Sequence, residues 1–532
     1  MTERVDMLVV GGGVNGASIA RDAAGRGLKV WLCEQDDLAA HTSGASTKLI
    51  HGGLRYLEQY RFALVGKSLA EREVLLKAAP HIITPLQFVL PHQPYLRPEW
   101  MIRFGLFLYD RLGRVRPSLP RSHAVDLTTH TVGRPLRAGF GKGFVYSDAR
   151  VQDTRLVVLN AIDAERRGAC VLTRTRCEQA RRTGTGWDVR LRLANGDLRT
   201  LQARALVNAT GPWGTRFLEE VAGVRPSHAL RLVKGSHLVV RKLFDHDYAY
   251  IFQQPDRRIV FAIPYENDFT LIGTTDVRFH DDPAVACIDS DEIEYLCTAV
   301  NRYFAKTIVS TDVVWAYSGV RPLLGDDGDD EAAALSRDYR LELDHDGGAP
   351  LLNVFGGKLT TYRKLAEEAV DRLAPLLGNR SPAWTGRAAP LPGGEFADAD
   401  FDKFLGGLRA DYPWLPPAFT QRLAHAYGTA ARTVLGAARG MDDLGEHFGA
   451  DLYRAEVDYL IRAEWARSAA DILWRRSKLG LRIDREAAQR LDAYLAAQPA
   501  VQAAGTEEPG KATARHPLDQ ASCTAVDARA GE

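Results

Sequence analysis

Between an apolar run ending Leu8-Val9-Val10 and a second run from Leu28 to Leu32, the chain carries Gly11-Gly12-Gly13-Val14-Asn15-Gly16. A Gly-x-Gly-x-x-Gly between a strand and a helix calls for a βαβ unit. Gly11 permits the tight turn, Gly13 lets the backbone approach a pyrophosphate, and Gly16 lets the helix lie close on the strand. Ala17 to Arg26 supplies a helix of small residues, with Gly27 placed to end it. Amides at the helix N-terminus carry partial positive charge, so a bridging diphosphate belongs there. Glu34 stands roughly 20 residues beyond the glycines, where a carboxylate accepts both hydroxyls of an adenosine ribose. Its charge repels a ribose phosphate and disfavours NADP. An ordinary glycine-rich turn would have no use for that acid.

A nicotinamide-binding fold would continue with further βαβ units. Instead, His41 to Lys48 is a loop of small polar residues, leading through Leu49-Ile50-His51-Gly52-Gly53-Leu54-Arg55-Tyr56 into a helix. That helix runs to about Ala79, with Phe62, Val65, Leu69 and Leu76 on one stripe, and Pro80 stops it. A small-residue segment just past the ribose acid suits a longer cofactor threaded through the protein, which favours FAD over NAD. Pro85 to Lys142 is irregular and rich in proline and arginine. Within it, Trp100 to Leu112 is apolar and aromatic, broken by Arg103 and edged by Arg111, Arg114 and Arg116. It is too short and too charged to span a bilayer; it is either a packed cap helix or an element lying in a membrane interface.

Asp153 to Gly168 reads as a helix with an Asp cap and a Gly stop. A strand at Cys170 to Thr173, alternation at Val189, Leu191 and Leu193, an Asn195-Gly196 turn and a buried strand at Ala205 to Val207 follow. Asn208-Ala209-Thr210-Gly211-Pro212-Trp213 breaks from its end and returns the chain to the dinucleotide domain. Leu238-Val239-Val240, Ile259 to Ile263 and Phe269 to Ile272 read as antiparallel strands of a second sheet that could roof the cofactor. Leu351 to Phe355 is a buried strand, Gly356-Gly357 a turn, and Lys358-Leu359-Thr360-Thr361 leads a helix through Leu373. Its free amides suit the negative charge that grows at N1 and the C2 oxygen of a flavin accepting hydride. A Pro/Gly-rich linker from about Gly378 to Glu395 precedes an all-α domain, Phe401 to Ala497. The residues after Pro499 have few large apolar groups and read as a disordered tail.

With 532 residues, 45% hydrophobic and 25% charged, the chain has room for two or three soluble domains. A formal net charge of +1 gives no case for nucleic acid. Six scattered cysteines without Cys-x-x-Cys argue against a disulfide framework, a zinc site or an iron–sulfur cluster. They fit a reducing compartment. Asp326-Asp327-Gly328-Asp329-Asp330 lacks calcium-loop spacing, so no metal is expected. The N-terminus enters the first strand directly, without room for a signal peptide, and no run approaches the length of a membrane span.

A flavin site that oxidises an alcohol must hold the substrate, place its carbon near N5 and accept a proton. His51, Arg55, His237, Arg321 and Lys358 lie beside the expected flavin turns. Three cations among them point to an anionic substrate, and arginine forks suit a phosphate.

At these residues the chain resembles the FAD-dependent glycerol-3-phosphate dehydrogenases, most of all the bacterial aerobic, respiratory branch. The resemblance rests on the glycine turn, on Ser46 to Tyr56, on Asn208 to Trp213, on Lys234-Gly235-Ser236-His237 and on Ile272 to Asp276. Tyr317 to Pro322 and Phe355 to Arg363 extend it, and it runs to about Leu479. It implies an α/β plus α architecture. A glutathione-reductase-like FAD domain of the D-amino-acid-oxidase group would occupy residues 1–80, 145–220 and 340–377. An antiparallel cap would take 81–144 and 221–339, a helical domain 396–498 and the tail 499–532.

The implied reaction takes sn-glycerol 3-phosphate to dihydroxyacetone phosphate by hydride transfer to flavin N5, with electrons passed to a membrane quinone. Non-covalent FAD would contact Gly11, Gly13, Val14, Asn15, Gly16, Glu34, Thr42, Ser43, Ser46, Lys48, Leu49, Gly211, Gly357, Lys358, Leu359 and Thr360. Arg55, Arg321 and Lys358 would surround the substrate, with Tyr56, His237 and Thr274 nearby and His51 a candidate proton acceptor. The resemblance also implies a homodimer in the cytoplasm, held peripherally on the inner face of the cytoplasmic membrane. The cysteine motifs of anaerobic relatives, the calcium loops of the animal mitochondrial form and the insertion of the oxidases are absent from the sequence. An amine or amino-acid oxidase of the same fold group, or a flavoprotein whose FAD is structural, are the alternatives.

Overall fold

A computed structural model describes residues 3–93, 95, 97–113, 118–324, 338–345, 348–387 and 389–499. Arg114, Arg116, Asp326–Asp330 and the tail from residue 500 lie outside the described residues.

The first strand, Glu3–Val10, is apolar and buried at nearly every position after its first turn, as a strand covered on both faces must be. It pairs in parallel with Val30–Cys33 on one side and Leu198–Asn208 on the other. Cys170–Leu172 and Leu351–Phe355 extend the parallel core, and Arg340–Asp344 closes one edge antiparallel. The strands Arg176–Arg182 and Trp187–Arg192 form the expected meander onto Leu198–Asn208. Three helices, Val14–Gly25, Asp153–Arg166 and Tyr362–Leu373, cover one face through small contact residues such as Ala17, Ala20, Ala161, Ala366 and Ala369.

The second sheet has ten strands and is antiparallel except where Ala249–Gln253 runs parallel to Ile83–Pro91. Two of its strands, Ile83–Pro91 and Lys142–Val151, fall at or within the ends of the segment read from sequence as irregular. Pro85 is tolerated because Ala249–Gln253 meets that strand only at Phe88 and Val89, leaving the edge at Pro85 unpaired on that side.

The helix expected to carry an Asp cap at residue 153 starts there, but Asp153 does not cap it: its carboxylate turns to Lys48 and Ser46. The C-terminal unit is helical apart from a short antiparallel pair, His447–Gly449 with Leu452–Tyr453, so it is not purely α. Its core, including Leu408, Leu423, Phe448, Leu460 and Ile472, is separate from that of the parallel sheet.

His81 is fully buried where the helix Phe62–Ala78 meets this unit. Burial, then the charges of Arg155 and His425, pull its pKa down to about 3. The unfolded chain takes up that proton below about 6.5, so stability due to neutral His81 is complete above that value and declines as pH falls towards 3. Unfolding measured from pH 7 to 5 should therefore show a slope that His81→Gln reduces, by up to about 1.4 kcal/mol per pH unit. An unchanged slope would contradict this account.

Candidate active site

A cavity of about 730 Å³ is walled by residues of both large sheets. One end is built on the glycine turn. Val10 pairs with Cys33 in parallel register, which sets Glu34 beside that turn. Glu34 Oε2 accepts the Gly12 amide at 2.6 Å, and Oε1 accepts the Asp36 amide at 2.9 Å. Burial raises the pKa of this acid, against the pull of the Asp36 amide and His41. The middle glycine, to which the spacing argument assigned no task, is thus where the acid docks: a Cβ on Gly12 would lie 2.7 Å from Glu34 Cβ. Gly16 works behind the wall, where a Cβ would lie 1.9 Å from Gly11 O.

Asn15 joins this end to the next. Its Nδ2 donates to Gly356 O at 3.1 Å, while Oδ1 is buried with no hydrogen-bond partner among the described residues. Ser43 Oγ accepts the Val14 amide at 3.0 Å, and Thr42 Oγ1 donates to Val320 O at 2.7 Å. The loop after Glu34 is therefore pinned both to the glycine turn and to the antiparallel strand Val313–Leu324. Gly11, Gly13, Val14, Asn15, Glu34, Thr42, Ser43, Ser46, Leu49, Gly211, Gly357, Lys358, Leu359 and Thr360 all line the cavity.

The other end gathers the charged groups. Arg321 donates from Nη2 to Thr274 Oγ1 at 3.1 Å and pairs through Nη1 with Asp276. Lys358 Nζ sits 3.8 Å from the centre of the Tyr56 ring, a cation–π contact. His51 lines the same cavity; its amide donates to Thr360 Oγ1 at 3.1 Å. The turn after His51 is fixed from below, where the Gly52 amide donates to Tyr109 Oη at 2.8 Å and Tyr109 to Asp148 at 2.7 Å. Arg72 holds Asp148 in turn. His51, Tyr56, Thr274, Arg321 and Lys358 all face the cavity.

Besides Gly16, three other expected contacts do not. Lys48 is buried against Asp153, its Nζ 2.9 and 2.8 Å from the two carboxylate oxygens, and its side chain is withdrawn from the wall. Arg55 shares the short helical turn Leu54–Leu57 with Tyr56, but does not line the cavity. His237 is buried behind Thr47, whose Oγ1 is 2.9 Å from Nε2, and stacks on Tyr317 at 4.8 Å. Burial, then the charges of Arg321 and Lys48, keep its pKa well below the usual histidine range, so it is neutral. The sequence reading also missed wall residues brought in by other elements: His41, Thr175, Cys177, Trp213 and Phe261. Of these, His41, Trp213 and Phe261 stood in stretches already singled out, without a role of their own; Thr175 and Cys177 did not.

A glycine-rich strand-to-helix turn and the cations Arg321 and Lys358, all in the wall of one cavity formed by a parallel and an antiparallel sheet, are the pattern of an FAD-dependent oxidoreductase. The family model described as "FAD dependent oxidoreductase" matches residues 6–363, and that for the "C-terminal domain of alpha-glycerophosphate oxidase" matches 385–499. The chain is 53% identical over 496 residues to a glycerol-3-phosphate dehydrogenase of Pseudomonas aeruginosa, covering 93% of this chain and 96% of that one. It is 51% identical over 477 residues to a D-erythritol 1-phosphate dehydrogenase of Brucella abortus, covering 90% and 94%. The solved structure of the glycerol-3-phosphate dehydrogenase from Bacillus halodurans, complexed with FAD, matches with a TM-score of 0.73 at 28% identity, covering 94% and 92%. The chain belongs to the FAD-dependent glycerol-3-phosphate dehydrogenase family.

FAD fits the residues present: the glycine turn, the helix N-terminus at Val14, the orphaned Asn15 Oδ1 and the Glu34 carboxylate offer the donors and acceptors a dinucleotide needs. Gly12→Ala should displace Glu34 and yield folded protein with little of the visible flavin band. Retention of a full complement of FAD would show that the acid does not need this contact.

Proposed function

We propose that the chain oxidises sn-glycerol 3-phosphate to dihydroxyacetone phosphate. The observation that carries this is the presence of Arg321, from the antiparallel sheet, and Lys358, from the Gly356-Gly357 turn, in the wall of the same cavity as the glycine turn. FAD bound non-covalently in this cavity would supply the acceptor for the C2 hydride, with a membrane quinone as the onward electron acceptor. Arg321, fixed by Asp276 and Thr274, binds the phosphate. Lys358 and Tyr56 hold the substrate from the opposite side. His51, which lines the cavity, takes the hydroxyl proton, and neutral His237 fixes Thr47 from behind. Arg55 supports the turn that carries Tyr56. In this reading Glu34 holds the adenosine ribose, the helix at Val14 the diphosphate, and the amides at Lys358 to Thr360 the flavin. The parallel sheet with its helices is the FAD-binding domain and the ten-stranded sheet the substrate cap.

Anaerobic addition of sn-glycerol 3-phosphate should bleach the flavin, and glycine or sarcosine should not; no bleaching by the phosphate would sink the proposal. Arg321→Ala should keep FAD and raise KM by one to two orders of magnitude, the worth of a charge-assisted contact. His51→Asn should instead slow bleaching at saturating substrate. The relative that carries a D-erythritol 1-phosphate name makes a four-carbon polyol phosphate the specific rival, so kcat/KM for the two phosphates decides between them.

Membrane attachment is the second part of the proposal. No helix among the described residues is long and apolar enough to cross a membrane. The helix Glu99–Leu112 buries Leu106 and Tyr109 but leaves Trp100, Phe104 and Phe107 between 48 and 66% exposed at helical spacing. Arg111 stacks on Phe107, the pattern of an amphipathic helix lying in a lipid interface. We assign this face to the inner surface of the cytoplasmic membrane and the working form to a homodimer, which sedimentation would check. Replacing Trp100, Phe104 and Phe107 by Ser should abolish co-flotation with anionic phospholipid vesicles while leaving bleaching intact. Undiminished flotation would remove this helix from the membrane face.

A further inference from the structure

We propose that the C-terminal helical unit is a positioning element of the FAD site, holding through Asp37 and Arg174 the two short segments that frame the adenosine end. Among the described residues none beyond Thr360 lines the cavity, so any influence of this unit must pass through other groups. Two segments form that end: Glu34, Gln35 and Asp36, and Thr175, Arg176 and Cys177. They are joined by their backbones, Thr175 N to Glu34 O at 2.7 Å and Arg174 N to Asp36 O at 2.8 Å.

The residue flanking each segment on its outer side, Asp37 and Arg174, is tied to one stretch of the C-terminal unit. Asp37 accepts Arg475 Nε at 2.6 Å and both Nη of Arg476 at 2.6 and 2.8 Å. Arg174 Nη2 donates to Asp471 at 2.7 Å, and Asp471 also pairs with Arg475. Arg476 further donates to Glu464 O, and Glu464 binds Arg155 on the helix Asp153–Arg166. Asp37, Asp471 and Arg476 are each almost wholly shielded from water. Stranding any one charge would leave its partners buried and unpaired, so the cluster holds or fails together. A loop held this way pre-forms the Glu34 geometry; released, it would populate that geometry only part of the time, and apparent affinity would fall by that fraction.

The inference rests on the placement of adenosine beside Glu34 given above. The test uses full-length Asp37→Asn and Arg475→Lys, stripped of FAD and titrated back by flavin fluorescence. The expected result is a Kd for FAD raised roughly tenfold, as for a loop competent in about a tenth of molecules. Once loaded, kcat and KM with a dye acceptor should stay within about twofold of the parent, because no reacting atom is touched. Arg475 is partly exposed and the lysine keeps its charge, so that variant carries the test if Asp37→Asn does not fold. Glu34→Gln is the control. If it leaves Kd unchanged, the adenosine placement itself falls. If it raises Kd while folded Asp37→Asn and Arg475→Lys leave Kd unchanged, or if the loaded variants lose kcat, the positioning role falls alone.

Discussion

The bond from the Gly12 amide to Glu34 joins the end of one buried strand to the turn that follows its neighbour, inside a wall where water cannot substitute. A carboxylate buried there without donors would cost several kcal/mol, enough to neutralise it or move it. With the Gly12 and Asp36 amides aimed at it, the acid stays and the loop behind it takes a single course. From that course follow Ser43 under the Val14 amide and Thr42 against the strand Val313–Leu324, so the loop ties the two sheets together along the cavity wall.

The charged end of the cavity depends on restraint as much as on attraction. Arg321 is held by Asp276 and Thr274, and Lys358 by the face of Tyr56, so neither side chain has to be ordered when an anion arrives. Burial first, and then nearby positive charge, explains His237: a protonated ring behind Thr47 would lose its water and be repelled by Arg321 and Lys48. The ring is left as a neutral wedge between Thr47 and Tyr317.

Much of this was legible in the residues because local rules and tertiary structure agree there. The glycine turn, the buried strands and the lysine after Gly356-Gly357 occupy positions where backbone shape and side-chain type carry the same message. What escaped had partners far along the chain. Lys48 reads as a cation beside a cofactor loop until Asp153, some hundred residues on, is known to take it. Asp153 reads as a helix cap for the same reason. The strand Ile83–Pro91 was hidden by a proline that is harmless only because one neighbour is short. Gly12 was passed over because the motif counts three glycines, and its duty towards Glu34 depends on the register between two strands.

The contact between Asn15 and Gly356 spans 341 positions of the chain. A ribosome therefore releases the glycine turn long before the segment that meets it exists. Until that late strand and its turn emerge, the early half can form only a partial nest with exposed apolar surface, the kind of intermediate that aggregates or recruits chaperones. A wall that needs both ends of the domain closes only when the late turn arrives, so the cavity is among the last features of the fold to be completed during synthesis.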